Sequence, residues 1–144
     1  MTAKELMKQC EAEEKELKFR EFSSETALAI GMALIEEAKK RDNKICIDIA
    51  IAGRRLFHYS SDGNAVSNDI MIERKKKTAM HTGHSSLWAH YMLEDCGMNI
   101  KEKWALEPSE YAQVGGAFPI RLENCQTVIA VSYTHLRAHE TRSN

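Results

Sequence analysis

Apolar and polar residues alternate most clearly at residues 45–52, where Ile45, Ile47, Ile49 and Ile51 interleave with Cys46, Asp48, Ala50 and Ala52. A period of two predicts a strand with the isoleucines on its core face. Gly53 permits a turn, and residues 54–60 read as the returning arm of a β-hairpin. Upstream, Ala27, Leu28, Gly31, Leu34, Ile35 and Ala38 recur at helical spacing, after a serine cap at Ser23 or Ser24. Gly31 lies on that apolar face and implies close packing against a neighbouring backbone. Residues 3–19 predict a charged surface helix with a narrow stripe of Leu6, Cys10 and Leu17.

Residues 65–82 read as a helix with a thin face of Val66, Ile70 and Met80, and residues 85–95 as a second helix that ends at Gly97. Gly115 and Gly116 open a strand with Phe118, Ile120 and Leu122 on one face, the glycines serving as a bulge. Pro119 marks an edge or a bulge, because it has no N–H to donate. Residues 127–132 form the final strand.

The chain has 144 residues, enough for one domain, with a formal net charge of −1. A near-neutral domain lacks the positive field that nucleic acids and anionic membranes reward, so neither is expected as a partner. The charged N-terminus does not resemble a signal peptide, and the longest apolar run is too short to insert in a membrane. A cytoplasmic location is therefore expected. Cys10, Cys46, Cys96 and Cys125 form no CxxC pair and read as buried hydrophobes or idle thiols.

His81 and His84 flank a Thr-Gly pair between two predicted helices, beside an aromatic-rich segment. They could ligate an iron, or simply be solvated; two histidines at this spacing do not define a zinc site. Arg74-Lys75-Lys76-Lys77 could meet an anion or present a solvated face. Ser85 and Ser86 read as helix caps, and Asp48 as a carboxylate at an edge or interface. No GxSxG, Walker, GxGxxG or HExxH motif is present, so no catalytic residue is assigned.

Ile47-Asp48, Leu56-Phe57-His58, Arg74-Lys75, Thr78, His84-Ser85-Ser86 and the run from Tyr111 to Ile120 follow one another at suitable spacing. Together they resemble the haem-degrading-domain family, the HbpS-like and GlcG-like proteins, in its branch of small cytosolic members. The resemblance implies a single α+β domain with a central antiparallel sheet of about five strands, helices packed on it, and a PAS- or profilin-like arrangement. It implies homo-oligomers and a haem or related tetrapyrrole as ligand, with iron reacting with oxygen or peroxide. It raises His81, His84, Arg74 and Lys75 as candidate ligand-binding residues. Its alternative is a non-enzymatic scaffold or adaptor that assists protein targeting or a cofactor-handling enzyme. Val114 stands where the family often has His.

Residues 133–144 break the pattern and resemble the read-through of a sequencing adapter. The domain is thus expected to span residues 1–132, with residues 133–144 a non-native tail. The acidic, His-rich C-terminal helix usual in the family is then expected to be missing.

Overall fold

The computed structural model describes residues 1–124 and 126–135, the last four by their backbone alone. Ten elements follow in order: α1 (Ala3–Glu16), β1 (Lys18–Phe19), α2 (Ser24–Lys40), β2 (Lys44–Ile51), β3 (Arg54–Ser60), α3 (Val66–Thr82), α4 (Ser86–Cys96), α5 (Ile100–Trp104), β4 (Ala117–Leu122) and β5 (Thr127–His135). The strands form one five-stranded sheet in the order β1-β4-β5-β2-β3. Helices pack on it, and the fold is α+β.

Four strands pair antiparallel as expected, but β1 runs parallel to β4, so the sheet is mixed. Residues 18–19 had read as the end of the first helix. Instead Lys18 and Phe19 register with Arg121 and Leu122, and Phe19 packs against the core. Pro119 sits in β4 where β1 no longer reaches. The N–H groups of Ala117 and Glu123, which share its parity, point to Ser86 Oγ and the Phe19 carbonyl, away from β5. The missing donor of Pro119 therefore falls on the outer edge, where no ladder bond is lost.

β2 is buried on both faces, not on the isoleucine face alone. Ile45, Ile47 and Ile49 pack under α2 with Ala27, Ile35, Ala38, Ile120 and Val128. Cys46 faces the opposite layer, where Ile72 and Ala79 of α3 meet Ala117, Ile129 and Val131. Alternation thus marks two cores of different chemistry, and Asp48 is fully buried on the α3 side rather than placed at an edge. A third cluster, Met7, Cys10, Trp88 and Ala89, joins α1 to α4.

Two helical faces differ from expectation. On α2 the buried line is Ala27, Gly31, Ile35 and Ala38, while Leu28 and Leu34 lie on its exposed flanks. The neighbour of Gly31 is the Phe57 ring, not a backbone. On α3 the buried residues are Ile72, Lys75, Thr78 and Ala79, and Val66, Ile70 and Met80 face outward. The double glycine forms a turn before β4, with Gly116 at φ 135°, rather than a bulge within it. At the C-terminal end, β5 continues past residue 132: the backbone of Tyr133, Thr134 and His135 registers with Cys46, Ile45 and Lys44. Residues 136–144, the rest of the suspected tail, lie outside the described residues, as does Cys125.

Candidate functional site

Two polar clusters lie on the α3 side of the sheet. The first is built on Glu14, a carboxylate only 2% exposed in the last turn of α1. One of its oxygens meets His84 Nδ1 at 2.7 Å; the other accepts the Ser85 N–H at 3.0 Å. A carboxylate oxygen accepts, so in this contact Nδ1 carries the proton, and Nε2 is the ring atom left to face a ligand. The imidazole stacks on Trp88 at 3.9 Å between centroids, and Trp88 Nε1 donates to Glu11 at 2.9 Å. Trp104 stacks 6.5 Å beyond Trp88. His81, exposed in the last turn of α3, lies 6.4 Å from the Trp104 ring and 6.2 Å from the Tyr111 ring. The two predicted histidines therefore belong to one row of aromatic rings, with only His84 held by a carboxylate.

Arg74 and Lys75 turn inward. Arg74 Nη2 donates to the carbonyls of Pro108 and Tyr111, both at 3.0 Å. Thr78 Oγ1 accepts the Ala112 N–H, Ser86 Oγ accepts that of Ala117, and Ser85 caps α4 through the Trp88 N–H. These hydroxyls and Arg74 fasten the segment 108–117 to α3 and α4. Lys75 is 4% exposed, and burial lowers its pKa below the ordinary lysine value.

The second cluster centres on Asp48. Arg55 Nε lies 2.7 Å and His58 Nδ1 3.1 Å from one of its oxygens, and Lys76 Nζ lies 2.8 Å from the other. Glu73 joins Arg55 and Lys76 from above. The Asp48 charge holds the Arg55 pKa above its ordinary value. On the other edge of the His58 ring, Nε2 lies 3.6 Å from Asp69 Oδ1, to which Cys46 Sγ donates at 3.2 Å. Burial first, and then the bond to Asp69, push the Cys46 thiol up to about 11. Neither Glu14 nor Asp48 had stood out as the centre of a cluster in the sequence. The one available signal was Asp48 on the strand face opposite the isoleucines, a basic helix following two elements later.

His81, His84, Arg74 and Lys75 line neither of two openings at the surface. A groove of about 850 Å³ runs between α4, α5 and the segment after it, past His90, Leu93, Met98, Ile100 and Pro108. A cavity of about 200 Å³ beside Lys76, Met80 and Gly83 falls below the size usual for organic ligands.

A mixed sheet sandwiched by α2 and α3, with a carboxylate-held histidine beside stacked indoles, defines a small α+β domain. Residues 22–134 match the model of the haem degrading protein HbpS-like family, and the chain belongs to that family. It is similar to a UPF0303 protein of Edwardsiella ictaluri, 35% identical over 92% of this chain and 84% of that protein. A UPF0303 protein of Streptomyces coelicolor is also 35% identical, over 88% of this chain and 80% of its own. Among solved structures, the Ybr137w protein superposes with a TM-score of 0.81 at 28% identity, over 93% of this chain and 79% of that one. A double mutant of Streptomyces reticuli HbpS gives a TM-score of 0.61 at 17% identity, over 78% and 73%, which is a likeness of fold.

Proposed function

We propose that the chain binds haem or a related tetrapyrrole, with His84 as the residue that meets the iron. The observation that carries this reading is the Glu14–His84 contact at 2.7 Å. Histidines that ligate metals commonly give their second ring nitrogen to a carboxylate, which sets the tautomer and the ring orientation. Trp104 and Tyr111, both partly exposed, offer apolar surface to a macrocycle, and buried Trp88 backs the His84 ring. His81 stands at the outer end of that row and serves as a second nitrogen donor. Arg74 acts by holding Tyr111 in place, and Lys75 adds buried positive charge to the same helix. When bound, haem iron would supply redox chemistry toward oxygen or peroxide, and the part of these residues would be to hold and orient the macrocycle. Haem-linked activity in the family supports this reading.

Haemin titration followed at the Soret band tests it. A saturable shift at about micromolar haemin, near −8 kcal/mol, is expected for the unaltered chain. His84→Ala should weaken binding at least tenfold, and Glu14→Gln should weaken it less. No saturable shift refutes the function. A shift lost only in His90→Ala would refute His84 and move the ligand to the groove beside α5.

A second reading, a homo-oligomeric scaffold or adaptor, draws on exposed apolar side chains. Leu28 and Met32 on α2 are 45% and 50% exposed, and Val66 and Ile70 on α3 are 73% and 55% exposed. Each pair is one helical turn apart, as a self-complementary contact requires. Light scattering on the chain and on Met32→Glu and Ile70→Glu separates an assembly from a monomer. A wild-type monomer sinks this reading.

A further inference from the structure

Cys46, His58 and Asp69 lie on three successive elements, β2, β3 and α3, and nothing in their sequence spacing pairs them. The fold brings a sulfur, an imidazole nitrogen and a carboxylate oxygen within 4.8 Å of one another. We propose that these three side chains form a binding site for a thiophilic divalent cation of the zinc class.

Three features carry the assignment. The first is distance. Zinc bonds of about 2.0 to 2.3 Å imply tetrahedral edges of about 3.3 to 3.5 Å between ligand atoms. Cys46 Sγ and Asp69 Oδ1 are 3.2 Å apart, and His58 Nε2 and Asp69 Oδ1 are 3.6 Å apart. The second is the outer partner. Asp48 is wholly buried and holds His58 Nδ1 at 3.1 Å, so the ring presents Nε2 toward Cys46 and Asp69. The third is the donor set. One thiolate, one imidazole and one carboxylate suit zinc or cobalt and not magnesium or calcium, which favour oxygen alone.

The approach is open, because the His58 and Asp69 side chains are 31% and 43% exposed while Cys46 forms the floor. Loading replaces the Cys46–Asp69 hydrogen bond: the thiol proton leaves to solvent and the sulfur becomes a thiolate ligand. Three protein ligands leave the fourth position to water or a small ligand. Arg55 and Lys76 are neutralised by Asp48 and Glu73. Lys75, the buried amine that interacts with Cys46, has its pKa lowered by burial, which favours its neutral form beside a bound cation.

Cobalt(II) reads such a site directly. Titrating the chelator-treated full chain should give a thiolate-to-cobalt band in the near ultraviolet and tetrahedral bands in the visible, saturating at one equivalent. Cys46→Ala should abolish the near-ultraviolet band, and Cys96→Ala should leave it intact. His58→Gln and Asp69→Asn, altered at partly exposed positions, should each weaken binding at least tenfold and remain readable if Cys46→Ala does not fold. Absence of a saturable spectrum overturns the proposal. So does a spectrum that survives Cys46→Ala, one lost in Cys96→Ala, or unchanged affinity in both His58→Gln and Asp69→Asn.

Discussion

Replacing Gly31 by alanine sets two effects of similar size against each other. Alanine is favoured over glycine inside a helix by about 1 kcal/mol. At this position, however, an added Cβ would fall well inside 3.0 Å of three atoms of the Phe57 ring. Those atoms belong to a stiff aromatic edge, and Gly31 itself is buried in the middle of α2. The ring must tilt or the helix must lift from β3, and overpacking of this kind costs about 1 to 3 kcal/mol. The net expectation is a loss of about 1 kcal/mol. Urea unfolding checks it: the midpoint should fall while the slope stays unchanged. The same substitution in a Phe57→Leu background should lose the clash and keep the helical gain. It should then be neutral or stabilising, giving a coupling of about 1 to 2 kcal/mol across the cycle. A stabilised Gly31→Ala in the unaltered background would refute the reasoning.

Asp48→Asn should cost roughly 3 kcal/mol in the same assay, because a buried carboxylate that serves Arg55, Lys76 and His58 is removed while its partners stay. Arg55→Ala should cost no more than about 1 kcal/mol, since that side chain is 53% exposed; equal losses would contradict this ranking. The Cys46 thiol, raised from 9.0 to about 11, predicts an alkaline loss of stability. Below pH 9 both folded and unfolded chains keep the proton, and the contribution is complete. Between pH 9 and 11 only the unfolded chain gives it up, so stability falls as pH rises. In the presence of a chelator, Cys46→Ala should show a shallower fall over that range, and an identical slope in both proteins counts against the burial argument.

Much of the framework was legible in the chain. The strand at β2, its hairpin partner, the serine caps at Ser23 and Ser85 and the stop at Gly97 all follow from local chemistry. Caps and tight turns are settled within a few residues, so the sequence carries them openly. The outward faces of α2 and α3 were harder. Leu28, Val66 and Ile70 have core-like side chains, but their positions point away from the sheet. The buried face of α3 instead holds Lys75 and Thr78, whose polarity conceals their burial until the partner segment is seen. The residues behind the family resemblance have a similar explanation. Arg74, Thr78 and Ser86 clip the stretch from Pro108 to Ala117 onto two helices, a task that needs hydrogen-bonding atoms at fixed places.

By itself the sequence determined the hairpin and the family to which the chain belongs, and through the family the α+β class, because period, turn chemistry and motif order are properties of neighbours along the chain. Only the tertiary structure decided that Glu14 would reach His84, 70 residues away, and that Cys46, His58 and Asp69 would converge. The parallel pairing of β1 with β4 was decided in the same way. Each depends on how helices lie across a twisted sheet, and that is fixed by the sum of many weak packing contacts rather than by any local pattern.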